Sequence, residues 1–450
     1  MAAITTMELC GWGRYPRAQS SVQVPENISE IDLKNERQTI ARGLGRSYGN
    51  AAMLDKGLVV LTKRWNRSIA FDEATGLLTA EAGLTLAEVL AMFIPRGWFP
   101  PVVPGTKWVS LGGCVAADIH GKNHHRDGAF GGHIRELELL QADGNRLRCS
   151  PAQNSEVFWA TVGGMGLTGI ITEVVVQLTS IESSWMMAQH HQAKDLDSSL
   201  EMLDSPLWDD AYTVAWLDCL AAGKNLGRSI LIRGHHARND ELPAQLRGRN
   251  CVTSRPALSL SFDFPAWLLN SLTVGAFNKV YYRRQGRRTE PFVCDVDRFF
   301  FPLDRIDNWN RMYGKRGFVQ YQCVLPPGEA RQSLQLLLEE SRRSRRPSFL
   351  AVLKRFGEEG AGLLSFPMPG YTLTMDFPVS DSGLFPFLDR LDEIVVKHGG
   401  RVYLAKDARM RAEVFRSMYE RFDDWSVIKR RIDPNNRFDS DLAKRLKMNE

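Results

Sequence analysis

The sequence has no long apolar run. Nowhere do about 18 apolar residues follow one another, so no membrane-spanning helix is expected. The first residues, MAAITTMELCGWGRYPRAQ, lack a basic stretch followed by an apolar core and do not read as a secretory leader. Cysteine is sparse and scattered: seven residues, at 10, 114, 149, 219, 251, 294 and 323, an odd number with no CxxC pair. That pattern argues against a disulfide framework or a thiolate zinc site and suits a reducing compartment. A cytoplasmic location is expected, with peripheral attachment to the inner membrane as its variant. A strong excess of one charge is also missing. The formal net charge of +5 over 450 residues makes no case for nucleic acid, and no such partner is expected. Repeats and low-complexity tracts are absent.

What is there begins with an ordinary globular composition, 44% apolar and 24% charged, in a chain long enough for two domains. Residues 38–180 read as short strands, glycine-rich turns and an occasional helix. LVVLT (58–62) and LLTAEAG (77–83) look like strands. TLAEVLAMFIPRG (85–97) predicts a helix: Thr85 and Glu88 form a capping box, Leu86, Val89, Leu90, Phe93 and Ile94 share a face, and Gly97 ends it. From about 185 to 400 the segments lengthen. FLAVLKRFG (349–357) and YTLTMDF (371–377) predict sheet strands, and FPFLDRLDEIVVKHGG (385–400) an amphipathic helix closed by glycine. RVYLAKDAR (401–409) reads as a strand running into a helical tail. Two basic clusters, YYRRQGRR (281–288) and SRRSRRPS (341–348), read as solvated loops, with an anion or a membrane surface as the alternative.

Four of the nine histidines, His120, His124, His125 and His133, fall in DIHGKNHHRDGAFGGH (118–133). A metal needs three or four ligands with supporting partners. Three of these could supply a partial set. The surrounding glycines and small residues instead suit a wall against which a flat ring lies, and no metal is expected. His124 and His125 read as a structural pair.

Three glycine-rich segments carry the rest. ARGLGRSYGN (41–50) follows the strand-like QTI; its spacing is GxGxxxG rather than GxGxxG and no helix pattern follows, so a Rossmann site is not indicated. Its glycines let backbone N–H groups approach an anion. VPGTKWVSLGGCVAADIHGKNHH (103–125) is almost all small residues from Ser110 to Ala117. FWATVGGMGLTGIITEVVVQL (158–178) is a glycine-packed turn feeding a β-branched strand.

In order, these segments resemble the vanillyl-alcohol-oxidase (PCMH-type) family of flavoenzymes, where FAD lies in a crevice built by such loops. With DIHGKNHH, YLAKDAR and the terminal DPNNRFDSDLAKRL added, the chain from about residue 11 resembles the branch of that family acting on polyprenyl-phosphoryl ribose. The resemblance implies an α+β fold in two domains: an FAD-binding domain over 1–184, a sheet-based substrate domain over 185–400, and a segment over 401–450 returning to the first. It implies FAD contacts from Ala41, Arg42, Gly43, Leu44, Gly45, Arg46, Ser47, Tyr48, Gly49, Asn50 and Ala51. Further contacts are implied from Gly105, Ser110, Leu111, Gly112 and Gly113, from His120, Gly121, Lys122 and Asn123, and from Ile171 and Tyr403. Many family members tether FAD through a histidine in the first glycine segment. Arg46 stands there, so FAD is expected to be non-covalent. Thr374 stands where mycobacterial relatives carry cysteine, and Phe301 where they carry tyrosine, which puts one polar substrate contact in doubt.

The implied activity is oxidation of the 2-hydroxyl of a polyprenyl-phosphoryl-β-D-ribose to the 2-keto sugar lipid. This is the first half of an epimerisation to an arabinose donor, which a separate NAD(P)H-dependent keto-reductase would complete. The catalytic candidates are Lys406, as proton acceptor or as a charge beside the alkoxide, and His120 on the substrate side. In VQYQC, Gln320 and Gln322 alternate with Tyr321 and so share one strand face; with Lys354 and Lys406 they are the candidate substrate contacts. FDFPAWLLNSLTVGAFNKVYYRRQGRR (262–288) joins apolar residues to a basic end, read either as a contact for polyprenyl chain and membrane or as a buried helix with a basic loop. The rival readings are a soluble alditol or aldonolactone oxidase of the same superfamily and a flavin-free lipid-binding scaffold.

Overall fold

The computed structural model describes residues 3–31, 33, 37–208, 212–248, 250, 258–265 and 268–450. Cys251 and two residues of the 262–288 stretch, Ala266 and Trp267, lie outside the described residues. Three main sheets organise the chain. Ile4–Cys10, Arg17–Gln23, Leu58–Leu61 and Thr39–Arg42 form a four-stranded sheet in that spatial order. Ser68–Asp72, Leu77–Glu81, Ile170–Gln177, Ile134–Leu140 and Arg146–Cys149 form a five-stranded one. Eight strands, drawn from Trp185–Ala193 through Arg401–Val402, form the third.

Local chemistry accounts for the elements that frame the site. Leu86–Phe93 is a helix because Thr85 and Glu88 satisfy each other's backbone N–H groups, and its buried face is Leu86, Val89, Leu90 and Phe93. A single 3-10 turn follows, closed by Gly97 in the left-handed region. Ser110 caps a short helix, Leu111–Ala116, inside the small-residue segment that the sequence suggested as a bare wall. The start of the third glycine segment also belongs to a helix, Ser155–Thr161. Each basic cluster straddles a helix end, with Arg287 and Arg288 in one following turn and Arg345 and Arg346 in the other. Arg283 and Arg284 end Ser271–Gln285, and Arg342 and Arg343 end Pro327–Arg343, where cations oppose the helix dipole favourably.

In the large sheet, opposite residues of antiparallel neighbours share a face. Tyr321 pairs with Met375 and Cys323 with Leu373; this face packs under the helices Pro327–Arg343 and Leu384–Lys397 through Leu334, Leu338, Phe387 and Leu391. Gln320 pairs with Asp376, Gln322 with Thr374 and Lys354 with Thr372 on the other face. The register thus sends the polar set away from the helices.

After Arg401–Val402, which still belongs to the large sheet, the chain turns instead of continuing as strand, and helix resumes only at Ala412. The turn is sewn on both sides: Tyr403 N donates to Gln322 O at 2.9 Å, and Tyr48 N donates to Ala405 O at 2.9 Å. Farther on, Phe438 bridges to Thr39, and Asp441 accepts from Asp55 N at 2.9 Å, so the last helix, Asp441–Leu446, closes on the first sheet.

Gly49 lies at the tightest point of this seam. A Cβ there would sit 1.8 Å from the Asp407 carbonyl oxygen, a backbone atom with no freedom to retreat. Gly49→Ala is expected to lower stability by about 1–3 kcal/mol through overpacking. Gly132→Ala, where nothing stands within 4 Å of the new methyl, should stay within about 0.5 kcal/mol. Chemical denaturation compares the two, and equal midpoints would remove the seam as a tight contact.

Candidate active site

Between the glycine loops and the polar face of the large sheet lies a cleft enclosing about 1740 Å³, its open mouth included. The space within it open to a water-sized sphere is about 300 Å³, at the lower end of ordinary small-molecule pockets, about 300–1,000 Å³. One wall is backbone-rich: Gly43, Gly45, Gly105, Ser110, Gly112 and Gly113. A Cβ on Gly43 would fall 2.2 Å from Ser110 Oγ, so two loops meet there only because one has no side chain. The facing wall carries Gln320, Gln322, Val352, Lys354 and Thr374, and Tyr403 and Lys406 close the cleft from the sewn turn.

The polar groups are interlocked. Gln320 Nε2 donates to Asp376 Oδ1 at 2.6 Å, and Tyr313 donates its hydroxyl to Asp376 Oδ2 at 2.9 Å. Gln322 Nε2 donates to His120 Nε2 at 2.9 Å and to Thr372 Oγ1 at 3.1 Å. With Nε2 accepting, the His120 proton resides on Nδ1, a buried nitrogen with no partner among the described residues. Burial, then Lys354, His124 and Lys406, holds His120 well below the usual imidazole range, so it is neutral. Lys406 places Nζ 3.7 Å from the Tyr48 ring centroid. Burial draws its pKa down to about 7, with Lys354 adding and the Asp376 carboxylate opposing. Lys354 is drawn down to about 8 by burial. Asp376, fully buried, is pushed up to about 6 by desolvation against its two hydrogen bonds and Lys406.

The cleft brings together most of the residues expected from sequence: Ala41, Gly43, Leu44, Gly45, Arg46, Ser47, Tyr48, Ala51, Gly105, Ser110, Gly112, Gly113, His120, Ile171, Tyr403, Gln320, Gln322, Lys354 and Lys406. Seven expected contacts do not line it. Arg42 turns back to donate to the carbonyls of Cys10 and Ala52, which pins the first loop from behind. Gly49 faces Asp407, Asn50 accepts from Arg445, and Leu111 is buried in the core beneath its helix. Gly121 packs on Val103 O; Asn123 donates to Pro101 O at 2.8 Å and Asp127 at 2.6 Å. Lys122 donates to the Phe299 carbonyl, between the Phe299 and Phe300 rings. Of the HGKN run only His120 reaches the cleft. Phe301 is fully buried in the aromatic core, so no cleft contact is lost there, whereas Thr374 does face the cleft.

The sequence reading missed several lining residues. Asp376 stands behind the wall but on the face of Thr372 and Thr374, which the two-residue period of YTLTMDF signals. Ala82, Ala116 and Ala117 extend the small-residue wall. Trp12, Trp309, Leu303 and Leu350 line the mouth without any local signal.

The histidine cluster disperses. His124 Nδ1 accepts from Gly357 N at 3.2 Å, and His133 Nε2 donates to Asp127 O at 2.9 Å. Among the described residues no three His, Cys, Asp or Glu stand together as a metal would require.

Comparison with known proteins adds the following. Residues 22–150 match a family model described as FAD binding domain, and residues 373–446 one described as D-arabinono-1,4-lactone oxidase. The chain is 39% identical to the decaprenylphosphoryl-β-D-ribose oxidase of Mycolicibacterium smegmatis, over 99% of this chain and 98% of that one. It is 22% identical to the L-gulono-1,4-lactone dehydrogenase of Mycobacterium tuberculosis, over 98% and 97% of the two chains. Among solved structures, xylooligosaccharide oxidase from Myceliophthora thermophila, crystallised with xylobiose, superposes with a TM-score of 0.69 at 15% identity, covering 97% of this chain and 96% of its own, a likeness of fold.

Because no three metal-ligating side chains stand together among the described residues, elemental analysis of purified protein should find no stoichiometric zinc, iron or copper. One tightly held ion per chain, retained through chelation, would overturn this account of the 118–133 segment.

Proposed function

The chain belongs to the decaprenylphosphoryl-β-D-ribose oxidase family of FAD-dependent oxidoreductases, with the vanillyl-alcohol-oxidase-like α+β fold, and from that premise we propose that it oxidises the 2-hydroxyl of a polyprenyl-phosphoryl-β-D-ribose to the 2-keto sugar lipid. One observation carries the reading: a glycine cradle on one side of the cleft faces a sugar-sized set of glutamine, lysine and imidazole groups on the other.

The residues present fit FAD. Gly43 and Gly45 have no room for a Cβ against Ser110 and Arg42, so the cradle is walled by backbone, and two buried nitrogens of the lining, His120 Nδ1 and Arg46 Nε, have no partner among the described residues. Gly43, Gly45, Ser110, Gly112 and Tyr403 would hold the cofactor. When bound, FAD supplies the acceptor for the hydride that leaves the carbinol carbon. The chain supplies the rest. Lys406, with a pKa near 7, exists partly as a free amine at neutral pH and takes the hydroxyl proton. Asp376 keeps that lysine from being driven further down. His120, neutral and held by Gln322, donates from Nδ1.

The keto lipid would pass to a separate NAD(P)H-dependent reductase to complete epimerisation. Peripheral membrane contact is supported by the helix Ser271–Gln285. Of its side chains only Val274 and Asn278 are buried, while Leu272 and Val280 are 84% and 65% exposed beside Lys279, Arg283 and Arg284. The stretch is a largely exposed helix rather than a buried one, and its basic end runs on through Arg287 and Arg288 into the turn that follows. No helix among the described residues is long and apolar enough to cross a membrane.

Two tests follow. Arg46 stacks its guanidinium 3.9 Å over Trp12 and offers no nucleophile to a flavin, so acid precipitation should leave the flavin in the supernatant; a yellow pellet would show a covalent bond. Lys406→Ala should keep its flavin while reduction by substrate, followed by anaerobic stopped flow, slows about 10²- to 10⁴-fold. Lys406→Arg should also be poor, since arginine stays charged. In the parent protein the lysine is charged below about pH 7 and neutral above, so the reduction rate should rise through that pH. A rate that instead falls as pH rises through 7 would assign Lys406 the charged role.

A further inference from the structure

Lys354 differs from the other buried lysines of this fold. Lys107 is paired with Asp297 at 2.7 Å, Lys429 with Asp433, and Lys122 donates to a carbonyl. Lys406 has Asp376 as an opposing charge. The Lys354 ammonium makes no hydrogen bond or ion pair with any described residue, and its one recorded contact is the Phe356 ring, 5.8 Å away. The groups that feel it are other cations or imidazoles: His120, Lys122, His124 and Lys406. Burial opposes its charge and no carboxylate restores it. Such a cation faces the cleft without a counter-charge, and an anion entering the cleft would supply one.

The Gln322 amide cannot serve an anion. Gln322 has committed both N–H bonds, one to His120 and one to Thr372, so it presents only its carbonyl oxygen to the cleft. Gln320 is held to Asp376. The Gln322 carbonyl suits sugar hydroxyls, which donate, and repels phosphate oxygens, which only accept.

We propose that Lys354 is the ligand for the phosphodiester of the substrate and that the isoprenoid chain leaves along Val352 and Leu350. The inference rests on the function proposed above. In a ribosyl phosphate the phosphorus is three bonds from C2, so a cleft that sets C2 beside Lys406 necessarily brings an anion into the same chamber. Lys354 and Val352 share one face of the strand Ala351–Phe356, Leu350 immediately precedes it, and all three line the cleft, which changes in that order from cationic to apolar. Phe349, next along the chain, packs 5.3 Å from Phe277 on the exposed helix Ser271–Gln285. The strand thus grades from charge to grease in the order of the ligand itself: sugar, phosphate, tail.

The test uses the flavin-loaded protein and two compounds: farnesylphosphoryl-β-D-ribofuranose and its uncharged phosphate methyl ester. Anaerobic flavin reduction gives the limiting rate and the concentration for half-maximal rate. In Lys354→Met the half-maximal concentration of the anionic compound should rise about 10- to 100-fold, the scale of one lost charge-assisted hydrogen bond, with little further change for the neutral ester. Lys354→Arg should restore most of the loss for the anionic compound only. If Lys354→Met weakens both compounds equally, Lys354 holds the sugar and the proposal is wrong. If it lowers only the limiting rate, Lys354 belongs to the chemistry and the proposal is again wrong. If neither compound reduces the parent protein's flavin, the proposed function itself falls, a result distinct from the other two.

Discussion

The site depends on a seam of main-chain contacts at residues 403–407. This turn is hydrogen-bonded to the first glycine loop through Tyr48 and to the large sheet through Gln322, and Gly49 lets the two backbones touch. Both walls of the cleft are therefore referenced to one short segment, and Lys406 sits in it. Backbone hydrogen bonds fix position more rigidly than a side chain can, since no rotamer is free. Arg445 extends the hold by binding Asp407 and Asn50 together at 2.7 and 3.3 Å.

On that frame, burial sets the electrostatics. Lysines in the cleft are drawn toward neutrality by desolvation, and how far each goes depends on its company. Lys406 has a carboxylate to lean on and one lysine to resist, Lys354 has no carboxylate, and His120 has cations on several sides. The Asp376 carboxylate is itself costly to bury, and Gln320 and Tyr313 offset that cost with two hydrogen bonds. Lys406 nevertheless ends lower than Lys354, because burial and the neighbouring Lys354 charge outweigh what the Asp376 carboxylate restores.

Local rules made part of this legible in the sequence. The Thr85–Glu88 box and the face of Leu86–Phe93 depend on neighbours three and four residues apart, so the helix could be read directly. The shared face of Gln320 and Gln322 follows from strand alternation. The reading failed where a run was treated as uniform. In HGKN the chain enters a one-turn helix at His124, so successive side chains diverge: His120 into the cleft, Lys122 toward Phe299, Asn123 back to Pro101. Arg42 and Gly49 belong to a true cofactor loop but serve its rear side. Trp12 and Trp309 meet at 5.9 Å from distant parts of the chain, and no pattern in either segment records that meeting. The basic clusters were half legible: charge marks the turns at Arg287–Arg288 and Arg345–Arg346, but not the helices that end in Arg283–Arg284 and Arg342–Arg343.

The return of the tail to the first sheet has a consequence for how the protein comes into being. Thr39 pairs with Phe438 and Asp55 with Asp441, so the first glycine loop is backed by a helix made long after it. Contacts this far apart in sequence are slow to form, and they cannot form while the tail is still within the ribosome. Until then the cradle is open on one side and the Lys406 turn is missing from it. A nascent chain stalled before residue 403 would hold half a cleft with nothing to close it.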